Sequence, residues 1–290
     1  MRTALACPPM LADYPRGSRV TTLCFYANMV TGFVLTWVSQ LVVTYTIGLL
    51  MTKERRGRVC GYLVRIGCAG IVTSLTPGVR LRRSADSWIP PPEVVSGERA
   101  AIFVANHRSF MDPFALGAGL LPIEAKYVAK ASIFTVPFGG WAMRRAGDLA
   151  IAFDASKGGW GTVKGSVGKM LAEASRVLEA GTSVGLFPEG TRMGYDLDKA
   201  MEAAGHVSKL MPFKPAFFDL AKKLKVPVVC VAMRGTDDVW PVGSNMIRPA
   251  EIVIKLAAPL DPDDFDTDKD LAEAARLLLG RTYQSLCKDD

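Results

Sequence analysis

Apolar and polar positions divide the chain into an uncharged front and a part in which strand and helix patterns alternate. No charged residue occurs from Val20 to Thr52, and a basic cluster at 53–58 precedes a second apolar stretch, Ile66 to Val79. As one helix the first run would measure about 50 Å, whereas the hydrocarbon core of a bilayer is about 30 Å thick. The second stretch is too short to span a bilayer. These lengths predict one tilted transmembrane helix or a helical pair half-immersed in one leaflet, with a buried core hairpin as the remaining alternative.

Beyond Arg80 the pattern becomes that of a sheet covered by helices. An alternating run at 78–83 predicts a strand, and apolar runs typical of buried strands occur at 100–105, 183–187 and 226–233. The stretch 251–260, which contains two charged residues, predicts a further strand. Apolar residues recur at helical spacing from Val167 to Leu178, and Gly181 is placed to end that helix. The alternation predicts an α/β fold with a mixed, largely parallel central sheet flanked by helices.

These patterns define three regions: an unassigned segment at 1–19, a membrane-associated helical segment at 20–77, and an α/β domain at 78–290. Hydrophobic residues make up 49% of the chain, and its formal charge is +7 at pH 7. Together these values favour a membrane surface with anionic lipids. Nucleic acid is not expected as a partner, because the chain contains no basic tract with interleaved aromatics and no glycine-rich phosphate loop. The sequence indicates no protein partner, and its six cysteines lack metal-site spacing.

Two polar clusters directly follow predicted strands: NHRSFMD at 106–112 and FPEGTR at 187–192. Ligands of such sheets bind beyond the carboxyl ends of the strands, so the two clusters can converge on one site. A neutral imidazole accepts a proton near pH 7, and a carboxylate on its other ring nitrogen improves it as a base. A turn between His107 and Asp112 would form such a pair, although a chance juxtaposition is the alternative. Because no GxSxG elbow occurs, the substrate would supply the attacking hydroxyl.

The second cluster contains groups that bind anions. Backbone N–H groups around Gly190 and Thr191, together with the guanidinium of Arg192, can bind an anionic oxygen or a phosphate. Taken alone, the same residues also fit a capped junction between a strand, a loop and a helix.

The combination of NHxSxxD and FPEGTR, about 80 residues apart, resembles the glycerolipid acyltransferase family, typified by 1-acylglycerol-3-phosphate acyltransferases. The resemblance extends over roughly 78–260. It includes Lys130, the stretch FKPAFFDLA at 213–221, and VPVVCVA at 226–232, which resembles the last motif of the family. It implies a membrane-bound enzyme that moves a fatty acyl group from an acyl thioester to the sn-2 hydroxyl of 1-acylglycerol 3-phosphate, making phosphatidic acid.

The resemblance also implies roles for single residues. His107 would be the general base and Asp112 would orient it, while Arg192 and Lys130 would bind the acceptor phosphate. The other substrate-binding positions would be Asn106, Ser109, Glu189, Gly190 and Thr191. No metal or bound cofactor is expected, because acyl-CoA or acyl-carrier protein arrives as a substrate. The domain at 78–290 would be the acyltransferase catalytic domain. It is expected to lie on the cytosolic side of the membrane.

One departure from the family concerns the acceptor. Ala152 and Phe153 stand where the family has an acidic or amide residue followed by a cation, and Lys157 or Lys164 could replace the missing phosphate contact. Glycerol 3-phosphate or another lysophospholipid is therefore an alternative acceptor. A membrane-bound lipid hydrolase and a non-catalytic lipid-binding module are alternatives from other functional classes.

Overall fold

The computed structural model describes residues 17–154, 161–192 and 210–287. Its first part is helical. The elements are α1 (Arg19–Tyr45), a 3₁₀ turn (Ile47–Leu50), α2 (Lys53–Val64), a π-helical turn (Arg65–Gly70) and α3 (Ile71–Leu75). By length and composition alone, Arg19–Tyr45 and the continuous helical stretch Lys53–Leu75 could each cross a membrane.

The strands that the structure describes form one large sheet and one small one. They are β1 (Val79–Arg83), β2 (Ile102–Ala105), β3 (Ala125–Lys130), β4 (Leu149–Ile151), β5 (Phe153–Asp154), β6 (Gly161–Thr162), β7 (Ser183–Leu186), β8 (Val228–Arg234) and β9 (Ala250–Leu256). The large sheet has the order β1-β9-β8-β2-β7-β3-β4, and β5 pairs with β6. In the large sheet β8 and β9 run antiparallel, whereas the other neighbours are parallel. The predicted mixed, largely parallel sheet is confirmed.

Helices cover both faces of this sheet. Those that follow β1 are α4 (Pro92–Ser96), α5 (Asp112–Gly119), α6 (Gly139–Ala146), α7 (Ser166–Glu179), α8 (Ala216–Leu224), α9 (Thr236–Val239) and α10 (Asp268–Leu286), with 3₁₀ turns at Ala131–Thr135 and Pro262–Asp264. On β2, Ile102 and Val104 pack against the cluster formed with α7, α8 and α10. Phe103 and Ala105 point to the other face, where α1, α3 and α5 pack. Burial on both faces explains why β2 is apolar at every position.

The N-terminal helices belong to the same packed body as the sheet. Gly32 of α1 crosses the π turn so closely that a Cβ there would lie 2.4 Å from the Gly67 carbonyl oxygen. The buried Gln40 amide donates to the Ala142 carbonyl of α6 at 3.1 Å. Arg65 forms a buried ion pair with Asp148, which lies just before β4. Packing is therefore continuous across position 77, where the sequence patterns divide the chain.

Candidate active site

The first motif begins with a side chain that extends the strand ladder. Beyond β2, the Asn106 amide donates to the Met233 carbonyl at 2.8 Å, and the Met233 N–H donates to Asn106 Oδ1 at 2.8 Å. Asn106 is completely buried, and this reciprocal pair fixes the start of the turn on β8. The Ser109 hydroxyl, also buried, donates to the Trp240 carbonyl at 2.6 Å and accepts from the Met111 N–H at 2.9 Å. Both side chains therefore hold the backbone of the turn.

The turn brings His107 and Asp112 together. The two residues meet through His107 Nδ1 and Asp112 Oδ2, 2.7 Å apart. The same carboxylate oxygen accepts the backbone N–H groups of Arg108 at 2.6 Å and Ser109 at 2.7 Å. Asp112 is buried at the first position of α5, and the following Pro113 suits the first helical turn because it has no N–H to satisfy. With Nδ1 directed at the carboxylate, Nε2 is the ring nitrogen left to exchange a proton with a substrate.

The second motif lies directly against the first. The rings of His107 and Phe187 stack with their centroids 4.2 Å apart. The Glu189 carboxylate accepts the His107 N–H at 3.1 Å and the Met211 N–H at 3.1 Å, so it joins three segments of chain. Burial raises the pKa of Glu189 to about 7, although the two N–H donors and the Arg108 charge act in the opposite direction. The two clusters converge because β2 and β7 are adjacent parallel strands.

The remaining residues of FPEGTR are Gly190, Thr191 and Arg192. We call Arg192, Lys214 and Lys130 together the cationic rim. The Arg192 guanidinium carbon lies 3.5 Å from the centroid of the Phe110 ring. Gly190 has the left-handed φ of +72°, and its N–H donates to the Phe187 carbonyl at 3.0 Å, so this N–H is engaged inside the turn rather than directed at an anion. A Cβ at Gly190 would lie 2.8 Å from Lys214 Nζ. Thr191 is half-buried between Gly190 and Arg192.

Lys130 lies at the same edge of the sheet, at the carboxyl end of β3 next to β7. Its side chain is exposed, and its Nζ lies 5.8 Å from the centroid of the Phe153 ring. The position where the family has a second cation thus holds a ring that faces Lys130. Lys164, the other proposed replacement, is exposed before α7, while Lys157 lies outside the described residues.

Sequence reasoning missed four residues in or near the site. The Arg108 side chain is buried and pairs with Asp237 at 3.0 Å, and Trp240 supplies the carbonyl that holds Ser109. No periodicity or motif marks Asp237 and Trp240 in the sequence. Lys214 could have been found, because it is the lysine of the quoted FKPAFF stretch. Among the residues described, no group of three or more His, Cys, Asp and Glu side chains is placed to hold a metal.

Comparison with known proteins identifies a family and several relatives of the chain. A family model described as Acyltransferase matches residues 89–234. Three relatives are called 1-acyl-sn-glycerol-3-phosphate acyltransferase. The one from Limnanthes alba is 31% identical over 62% of this chain and 58% of its own length. The relative from Chlamydomonas reinhardtii is 31% identical over 65% of this chain and 48% of its own length. The relative from Saccharomyces cerevisiae is 28% identical over 60% of this chain and 52% of its own length. The chain thus spans about half the length of these relatives.

A solved structure shares the fold. The crystal structure of the 1-acyl-sn-glycerophosphate (LPA) acyltransferase from Thermotoga maritima matches with a TM-score of 0.67 and 22% identity, covering 92% of this chain and 95% of that one. At this identity the likeness concerns the fold alone. The family model covers the two motifs, the strands that carry them and the turn between His107 and Asp112, and on these grounds the chain belongs to the acyltransferase family.

Proposed function

We propose that the protein transfers a fatty acyl group from an acyl thioester to the sn-2 hydroxyl of 1-acylglycerol 3-phosphate, which yields phosphatidic acid. The observation that carries this proposal is the contact between His107 and Asp112, with the Arg192 cation on the adjacent loop. A base without a serine elbow suits a reaction in which the acceptor brings its own hydroxyl. The names of the relatives support 1-acylglycerol 3-phosphate as that acceptor.

The proposed step needs one base and no bound cofactor. His107 Nε2 takes the proton of the acceptor hydroxyl while the hydroxyl oxygen attacks the thioester carbonyl carbon. The new C–O bond replaces the C–S bond, and the departing thiolate takes the proton back from Nε2. Asp112 stabilises the imidazolium that exists between these events, and its oxygen holds the ring in place through Nδ1. Acyl-CoA or acyl-carrier protein serves as the thioester and leaves as the free thiol.

The acceptor phosphate is assigned to the cationic rim. Arg192 offers a planar fork that can pair with two phosphate oxygens, while Lys214 next to Gly190 and Lys130 on β3 offer point charges. Glu189 is proposed to order this loop through the N–H groups of His107 and Met211 rather than to react.

We propose that the N-terminal helices hold the protein within one leaflet. The Ile247 N–H donates to the Thr22 hydroxyl at 2.9 Å near one end of α1, and Gln40 contacts Ala142 near the other end. A helix attached at both ends lies along the catalytic part rather than away from it. Its outer side exposes apolar side chains, namely Val20, Leu23, Val30, Leu35, Val38 and Val42. Such a side can sink into the acyl region of one leaflet, which also places the site at the membrane surface.

A thioester-release assay on the purified chain, with mass analysis of the products, tests the function. Phosphatidic acid should form from lysophosphatidic acid and acyl-CoA, and His107→Ala should lower turnover by about 10² to 10⁴ without unfolding the protein. His206→Ala is the matched control, since His206 is the only other histidine of the chain and lies outside the described residues. Release of free fatty acid without phosphatidic acid would identify a hydrolase instead, and near-normal turnover in folded His107→Ala would exclude the base.

A further inference from the structure

The contact between Arg192 and Phe110 joins the two motifs through their side chains. Phe110 belongs to the first motif and Arg192 to the second, and the guanidinium carbon lies 3.5 Å from the ring centroid, in van der Waals contact with the face of the ring. The aromatic face carries negative partial charge and attracts a cation placed over it. The motif spacing alone does not reveal this pair, because the two residues are 82 positions apart.

The second observation concerns the hydrogen bonding of the Arg192 guanidinium. Its Nη1 atom is buried and makes no hydrogen bond with any residue in the described part of the chain. Burial lowers the pKa of the Arg192 guanidinium, while the Asp112 charge raises it. A guanidinium with a buried and unsatisfied N–H is prepared to receive an oxyanion, provided that its long side chain stays in place.

Phe110 itself packs against another aromatic ring. The Trp240 ring packs against it with centroids 5.4 Å apart, and the Trp240 indole N–H donates to the Ser244 carbonyl at 2.9 Å. Trp240 in turn packs edge-on against the buried Phe25 of α1, with centroids 5.0 Å apart. These contacts therefore hold the Phe110 ring in place, although 47% of its surface is exposed.

We propose that Phe110 is a positioning residue for Arg192, holding the guanidinium over its ring in the place where it pairs with an incoming phosphate monoester. This inference rests on the proposed function, in which Arg192 binds the acceptor phosphate. Without the ring, the guanidinium would sample several rotamers and would have to be ordered each time a ligand binds. Loss of the ring should therefore weaken phosphate binding and leave the base, His107, unaffected.

Equilibrium binding of lysophosphatidic acid to the intact chain in detergent, without acyl donor, is the primary test. Phe110→Leu should raise the dissociation constant about three- to thirty-fold, the range that a partly desolvated cation–π contact supplies. Phe110→Tyr keeps the ring and should bind within about twofold of the wild type. In turnover assays, Phe110→Leu should raise the KM for lysophosphatidic acid and leave both kcat and the KM for acyl-CoA nearly unchanged.

Two controls separate positioning from other effects. Trp141 is 42% exposed and its ring contacts Trp37 and Phe138, so Trp141→Leu removes a comparably exposed ring and should not alter lysophosphatidic acid binding. In an Arg192→Ala background, Phe110→Leu should add little further loss, since the cation it holds is gone.

The outcomes distinguish this inference from the proposed function. Unchanged binding in folded Phe110→Leu, full additivity with Arg192→Ala, or failure of Phe110→Tyr to restore affinity would each overturn the positioning role. Binding that follows the expected order of variants, in a protein that forms no phosphatidic acid, would support the positioning role and overturn the proposed reaction. A wild-type chain that binds no lysophosphatidic acid would overturn both.

Discussion

Replacing Asp112 by asparagine tests what the carboxylate contributes beyond its shape. All three contacts of Asp112 converge on Oδ2, which accepts from His107 Nδ1 and from the N–H groups of Arg108 and Ser109. An asparagine amide group at that place would leave two buried N–H donors unpaired, at a cost of about 1 to 3 kcal/mol each. The asparagine carbonyl oxygen should therefore take the place of Oδ2, so the tautomer of His107 is kept and the charge is lost. The amide NH2 then takes the place of Oδ1, which is buried and has no hydrogen-bond partner in the described part of the chain.

The expected loss of turnover follows from that charge. Exchanging a charge-assisted hydrogen bond for a neutral one removes about 1 to 2 kcal/mol. The full attraction between two unit charges 4 Å apart at an effective dielectric constant of 20 is about 4 kcal/mol. A loss of about 2 to 4 kcal/mol in stabilisation of the imidazolium corresponds to a 30- to 1,000-fold lower kcat. Asp112→Ala should in addition lower the free energy of unfolding by about 2 to 6 kcal/mol, because both buried N–H groups lose their acceptor.

Steady-state thioester release and urea unfolding of the Asn and Ala variants, measured side by side, check both expectations. Turnover within threefold of the wild type in folded Asp112→Asn would refute the role of the charge. Equal destabilisation in the two variants would show that the asparagine oxygen does not replace Oδ2. A loss of turnover in Asp112→Asn well above about 1,000-fold would mean that the tautomer of His107 is lost after all.

Three further predictions concern stability and attachment. Since the pKa of Glu189 is raised to about 7 in the folded chain, the folded state binds the proton more tightly, and the free energy of unfolding should fall from pH 4.5 to pH 7 by about 1 to 3 kcal/mol. Urea unfolding should show this slope removed in Glu189→Gln. Arg65→Ala leaves the buried Asp148 carboxylate unpaired, and calorimetry should show about 3 to 5 kcal/mol lower stability. Leu23→Asp combined with Val30→Asp should reduce co-sedimentation with anionic vesicles.

Controls and contrary outcomes sharpen these tests. An unchanged pH slope in Glu189→Gln would assign that slope to another group. Arg82 pairs with Glu251 at the surface, so Arg82→Ala should cost less than about 1 kcal/mol, and an equal cost for Arg65→Ala would contradict the buried pair. Ile89 is 82% exposed outside the N-terminal helices, and Ile89→Asp should sediment like the wild type. If the chain with both Leu23→Asp and Val30→Asp still sedimented fully with the vesicles, the proposal that α1 lies in one leaflet would be wrong.

Several elements that follow the N-terminal helices were predictable because their signals are local. β2 is apolar at every position, since it is buried on both faces, and α7 shows its apolar stripe from Val167 to Leu178. The strand β3 carries two charged residues, Lys126 and Lys130, and was not predicted as a strand. Lys126 is buried because Glu124 pairs with it at 2.9 Å. A pairing of this kind depends on neighbours that a run of apolar positions does not reveal.

By itself, the sequence determined the alternation of strands and helices, the uncharged apolar run near the N-terminus, and the two motifs that follow strands β2 and β7. These follow from residue periodicity and from the chemistry of single side chains, both of which are local properties. Only the tertiary structure decided that Phe110 lies under Arg192, that Trp240 supports the turn of His107, that α1 shares a core with the sheet, and that α2 packs with α1 and α6. The reason is that such contacts join residues far apart in the chain, and their existence depends on how the sheet orders its strands and where its helices cross.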